Sequence, residues 1–261
     1  MELSICFGAV VCVASTLVGC LAPIEYEDHV LGVAKEAIEE ANGLDWNGLA
    51  SNGLASNGLA SNGLASNGLA SNGLASNGLL MSALSEPSAR MLLRYIVGCA
   101  LPAGRQFTLT IDGIDSTFFG SLGLAPEWGL ADGSCDASCQ AWVSGCVLSR
   151  VNYLGEHVPI SLRGDSEALA TDEGERQEYP NAEATYYGNI FLNPQQRFAC
   201  TAPGSTLIDR VCGPSNASCI MRVLGDCDVA CDTLDILDGS YSGCHDGLGN
   251  LVPGAVTVYR E

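Results

Sequence analysis

From residue 42 the tripeptide Asn-Gly-Leu returns every five residues, at 42, 47, 52, 57, 62, 67, 72 and 77. Ser82-Ala83-Leu84 keeps the leucine phase, so leucines run from Leu44 to Leu84 without a slip. That period suits neither regular element. On an α-helix each leucine would rotate about 140° past the one before it, and on one long strand successive leucines would point to opposite faces. The glycine in every unit adds a helix penalty of about 1 kcal/mol. A chain that turns a corner every five residues satisfies the spacing. So does an unfolded tether, because an uncharged tract of Gly, Asn, Ser and Ala buries little.

Most units read Asn-Gly-Leu-Ala-Ser, and the tract resembles the pentapeptide-repeat family. That resemblance implies a right-handed, four-sided β-solenoid with Leu44, Leu49, Leu54 and their successors pointing inward. Asn42, Asn47 and Asn52, two positions earlier, would also point inward, and stacking Asn on Asn would supply the partners a buried amide needs. At about twenty residues per coil the tract makes about two coils, fewer than repeat arrays normally need, so flanking helices would cap it. Solenoid and flexible section both remain open.

Ahead of the repeats, Leu3 to Leu17 is almost wholly apolar, short for a membrane span and the right length for a signal-peptide core. It ends in Leu17-Val18-Gly19-Cys20, which resembles the lipobox of bacterial lipoproteins. The resemblance implies a signal peptide over 1–19, a lipid on Cys20 and the membrane as partner through that lipid. Leu21 after the cysteine implies the outer membrane. An uncleaved apolar anchor is the other reading. Residues 20–41 follow as an anchor and linker, with Tyr26 to Ala41 patterned as an amphipathic helix. Ser85-Glu86-Pro87 starts a second helix running through Val97, with proline in the first turn where its missing N–H costs nothing.

Residues 85–261 form the last section, and from Cys99 the composition changes. Ten cysteines lie there, at 99, 135, 139, 146, 200, 212, 219, 227, 231 and 244. An even number in an exported chain predicts disulfides throughout, with a connectivity that spacing alone does not give. Asp112-Gly113 between β-rich runs predicts a hairpin. Ser134 to Tyr153 reads as the main helix, with Cys139, Trp142, Val143, Cys146, Val147 and Arg150 on one face. Strands are expected at 157–163, 184–192, 219–224 and 256–259, and an acidic exposed loop over 164–179. The fold class is α+β. GSLGLAPEW (120–128), CQAWVSGCVLSRVNYLGE (139–156) and VPISLRG (158–164) resemble uncharacterised exported proteins, which carry no activity over.

The sequence holds no nucleophile elbow, zincin helix, phosphate loop or dinucleotide fingerprint. One segment, Ser134 to Trp142, is loosely similar to the papain-type cysteine protease segment. A thiol at a helix N-terminus has a lowered pKa, so Cys139 with His157 or His245 as base is the hydrolase alternative. Against it, the pair Cys135/Cys139 serves equally to lock a helix as two half-cystines. Cys135/Cys139 and Cys227/Cys231 have a spacing zinc accepts, but zinc needs reduced thiols. Asp226, Asp228, Asp232, Asp235, Asp238 and Asp246 could chelate calcium or form a solvated acidic face; they lack the order of a calcium loop. No metal or other cofactor is assigned. A formal net charge of −19 excludes nucleic acid, whose phosphates it repels. The favoured function is a lipid-anchored cell-envelope protein with a binding or structural role.

Overall fold

The computed structural model describes residues 78–153 and 158–261. The signal segment with Cys20, the helix over 26–41, the repeat tract up to residue 77 and His157 lie outside the described residues.

Helix α1 spans Gly78–Ala83, where the sequence pattern carried the repeat on to Leu84. The repeat has lapsed there: Leu80-Met81 stand in place of Ala-Ser, and Leu, Met and Ala are strong helix formers. Helix α2, Pro87–Ala100, opens on its proline as expected and continues three residues past Val97, burying Leu92, Leu93, Ile96 and Cys99. The Arg90 guanidinium donates to the Leu84 and Ser85 carbonyls at 2.7 and 2.9 Å, groups left over where α1 ends.

The hairpin forms as anticipated, β1 (Gln106–Ile111) pairing antiparallel with β2 (Ile114–Phe119). Asp112 and Gly113 have φ of 52° and 79°, the two left-handed residues a type I′ turn requires. A short 3-10 turn, Pro126–Gly129, then buries Trp128 edge-on against Phe191 at 5.5 Å.

Helix α3 spans Ala137–Ser149, shorter at both ends than the sequence suggested. Asp136 caps it by accepting the Cys139 N–H at 2.9 Å. The expected single buried face is not found: among its first residues only Ala141 is buried, Cys139 and Trp142 being half-buried, and every residue from Val143 to Ser149 is buried. The reason is its position between α2 and the main sheet. A Cβ on Gly145 would stand 2.2 Å from the Gly254 carbonyl oxygen and 3.1 Å from Val256, so only glycine lets the helix approach so closely. Ser144 Oγ accepts the Ile190 N–H at 3.0 Å and Gln140 accepts from Asn189 at 3.0 Å.

The main sheet has five strands: β3 (Ser161–Arg163), β4 (Asn181–Asn189), β5 (Gln196–Thr201), β6 (Arg222–Asp226) and β10 (Val256–Arg260), in the order β3-β10-β4-β5-β6. All neighbours are antiparallel except β5 and β6. Tyr186 and Tyr187 are both fully buried. Successive strand residues face opposite sides, so both faces of β4 are covered. Tyr186 belongs to the core shared with α2 and α3, Tyr187 to a second core shared with a small antiparallel sheet. That sheet is β7 (Cys231–Leu234), β8 (Tyr241–His245) and β9 (Leu251–Val252).

Four corrections to the strand reading follow. Of the described residues 158–163 only Ser161–Arg163 is strand, and β6 begins at Arg222 rather than at Cys219. Strands β5, β7, β8 and β9 were not anticipated. Residues 164–179 are not a plain loop: they hold a 3-10 turn (Glu167–Leu169) with Leu169 buried, and α4 (Glu173–Glu178). Two more short helices, α5 (Asp209–Cys212) and α6 (Cys227–Ala230), complete the mixed α+β architecture.

Candidate functional site

Five disulfides join the ten cysteines: Cys99–Cys146, Cys135–Cys139, Cys200–Cys227, Cys212–Cys219 and Cys231–Cys244. Each has a position in the layers. Cys99–Cys146 ties α2 to α3, and Cys135–Cys139 closes the entry to α3. Cys212–Cys219 links α5 to the turn before β6. Cys200–Cys227 joins β5 to α6, and Cys231–Cys244 crosses the β7–β8 pair. The last two meet in the second core, with Cys200 Sγ and Cys231 Sγ 3.8 Å apart.

Cys139 is therefore bonded to Cys135, and its sulfur is no thiolate in this structure. His245 lies 3.6 Å from the Asp232 carboxylate, on β8 of the small sheet. The aspartates of the last loops serve the backbone. Asp226, Asp235 and Asp238 each accept the N–H two residues on, at 2.7 to 2.9 Å. Asp246 accepts from the Asn250 side-chain amide at 2.9 Å and from the Asn250 and Leu248 N–H groups at 3.0 and 2.8 Å, and these bonds, the side-chain amide first, hold its pKa below the ordinary aspartate range. Among the described residues no three acidic, histidine or cysteine side chains gather as a metal site.

Arginines do the work inside. Arg210 and Glu183 form a buried pair on which Tyr186 also converges. Arg163 donates to the Asp238 and Tyr179 carbonyls at 2.7 and 2.6 Å and lies 3.5 Å over the Tyr259 ring; burial lowers its pKa. The third buried arginine, Arg150, caps the C-terminus of α3.

The described residues form several concavities. A groove of about 800 Å³ borders β6, with Thr201, Ser205, Asn216, Met221, Arg222 and Asp226 among its lining residues. The Asn216 amide is already committed to its own loop, to the Thr206 carbonyl at 2.7 Å and the Ile208 N–H at 3.3 Å. A cavity of about 460 Å³ lies between α2, β2 and the end of α3, lined by Arg94, Tyr95, Thr117, Phe119, Ser121 and Arg150. Sequence patterning put Arg150 on the inner face of α3. Arg94 carried no such signal, being one more exposed arginine on a helix.

Residues 43–75 match the GLTT repeat, in six copies. No curated protein and no solved structure matches the chain. The class defined is a repeat-bearing chain ending in a disulfide-rich α+β region. The GLTT repeat is the named element that the chain carries.

Proposed function

We propose that this is a lipid-anchored protein of the cell envelope, binding or scaffolding there through residues 85–261. The observation that supports it is the pairing of every cysteine from 99 to 244, a state at home in an oxidising compartment and rare where thiols are kept reduced. The Leu17-Val18-Gly19-Cys20 sequence names the attachment point. Cys20 carries the lipid, on the outer membrane by the rule of the following Leu21, and the repeats set the reach between lipid and folded region. Whether they do so as solenoid or tether, they add no reactive group. Hydrolysis by Cys139 would first require reduction of the Cys135–Cys139 bond.

The test is Cys20→Ala in the full chain, followed by metabolic labelling with a fatty acid and a carbonate wash of the membranes. The variant should take up no label and leave the membrane, since several acyl chains anchor where one does not. An unlabelled wild type, with the variant still in the membrane pellet, favours the uncleaved anchor instead.

A further inference from the structure

The cavity between α2, β2 and the end of α3 has the chemistry of a receptor for negative charge. Arg150, 4% exposed, and the exposed Arg94 both line it. The chain has 11 basic residues against 30 acidic ones, so two guanidiniums at one cavity are a concentration of positive charge that runs against the whole molecule. An anion in the space they both line is attracted to each. Each guanidinium presents its N–H donors in a planar fork whose geometry matches a carboxylate or phosphate.

The rest of the lining agrees. Thr117 and Ser121 bring half-buried hydroxyls, and the Tyr95 and Phe119 rings add apolar wall. Gly98, one helical turn after Arg94, also lines the cavity; a Cβ there would stand 3.3 Å from Arg150 Nη1. The missing side chain is what leaves room beside the guanidinium. A volume of about 460 Å³ falls in the range of small-molecule sites. We infer that this cavity binds a small oxyanion, a carboxylate or phosphate group carried on a compact organic body. This goes beyond the anchoring proposal and stands without it.

The experiment is calorimetric titration of the full chain with inorganic phosphate and, separately, with succinate, for wild type, Arg94→Gln and Gly98→Ala. At least one probe should bind with a stoichiometry of one, and which one does so tells phosphate from carboxylate. Each substitution should weaken that binding by about tenfold or more, the size of a lost charge-assisted hydrogen bond. Arg94 is exposed, so an unchanged thermal midpoint is expected for Arg94→Gln, and for Gly98→Ala the helix propensity of alanine works against the close approach to Arg150, so the variant should stay folded. Absence of binding by both probes overturns the inference. So does binding that either folded variant leaves unchanged, because the anion then sits elsewhere.

Discussion

Arg210 Nη2 stands 2.8 Å from Glu183 Oε1, with the two side chains 1% and 5% exposed. The contact is a fork, since Arg210 Nε also reaches Glu183 Oε2 at 2.9 Å. The guanidinium spends its remaining donors on the Val151 and Ser149 carbonyls at 2.7 and 2.9 Å. It thereby stitches α5, β4 and the end of α3 together. Burial and the neighbouring Glu183 carboxylate push the Tyr186 phenol well above its ordinary pKa, so it stays a donor to Glu183. Every strong polar group in this part of the core has a partner, which is the condition for burying charge at all.

Removing Glu183 breaks that condition. Glu183→Ala leaves Arg210 charged and buried with its backbone acceptors but without a counter-charge, which costs about 3–5 kcal/mol. Urea denaturation followed by Trp128 fluorescence reads the loss directly. A change below about 1 kcal/mol would mean that water enters and solvates Arg210, contrary to the buried network described.

The disulfides should rank by loop length. Cys99–Cys146 spans 47 residues and Cys135–Cys139 spans 4. In the chain-entropy account these lengths are worth about 4 and about 2 kcal/mol. Replacing each pair by alanines should therefore lower the thermal midpoint far more for 99/146 than for 135/139. The 135/139 variant also removes the one cysteine considered as a nucleophile. Equal losses from the two pairs would show that the unfolded chain is not where these bonds act.

What was legible in the sequence was local. Asp112-Gly113 fixed its hairpin because left-handed backbone at both positions is a property of those two residues. Pro87 fixed the start of α2 for the same kind of reason. The misses come from layers the chain builds only after folding. Val143 to Ser149 carry no single-faced pattern because neighbours cover α3 all round, β7 and β8 are short strands joined by Cys231–Cys244 rather than marked by an apolar alternation, and β9 is two residues long. The aspartates read as a charge cluster because the partners of Asp226, Asp235, Asp238 and Asp246 are backbone N–H groups two residues away, while Asp228 and Asp232 meet Tyr241 and His245, which composition does not reveal. The ten cysteines announced bonds, but only the three-dimensional arrangement assigned their partners.

Asp246 offers a pH test of the β8–β9 turn. Its carboxylate accepts from Asn250 and Leu248, which lowers its folded pKa below the unfolded one. The sign follows: the turn is supported above the unfolded value of about 3.9, and the support is lost as pH falls through the lower folded value. Carbon-detected NMR titration of the Asp246 carboxyl should place its midpoint below that of an unstructured aspartate. A midpoint at or above the ordinary value would mean that these turn hydrogen bonds do not persist in solution.

The contact between Cys200 Sγ and Cys231 Sγ, 3.8 Å, predicts where a broken bond will go. Cys244→Ala leaves Cys231 with a free thiol packed against the Cys200–Cys227 disulfide. As thiolate it can attack Cys200: the Cys200–Cys231 bond forms, the Cys200–Cys227 bond breaks, and Cys227 departs as thiolate and takes up a proton. No outside oxidant is needed, because the disulfide is exchanged rather than made. Cys231 is 8% exposed and Cys227 fully buried; burial raises thiol pKa, so exchange should be slow near neutrality and quicken with pH. Proteolysis without reductant, followed by mass spectrometry of samples held at rising pH, should show the 200–231 link and a free Cys227 accumulating together. Cys212–Cys219 should persist throughout as an internal control. A variant that keeps Cys200–Cys227 intact and alkylates only at Cys231 after prolonged incubation at high pH would show that the two sulfurs lie near each other without an open line of attack.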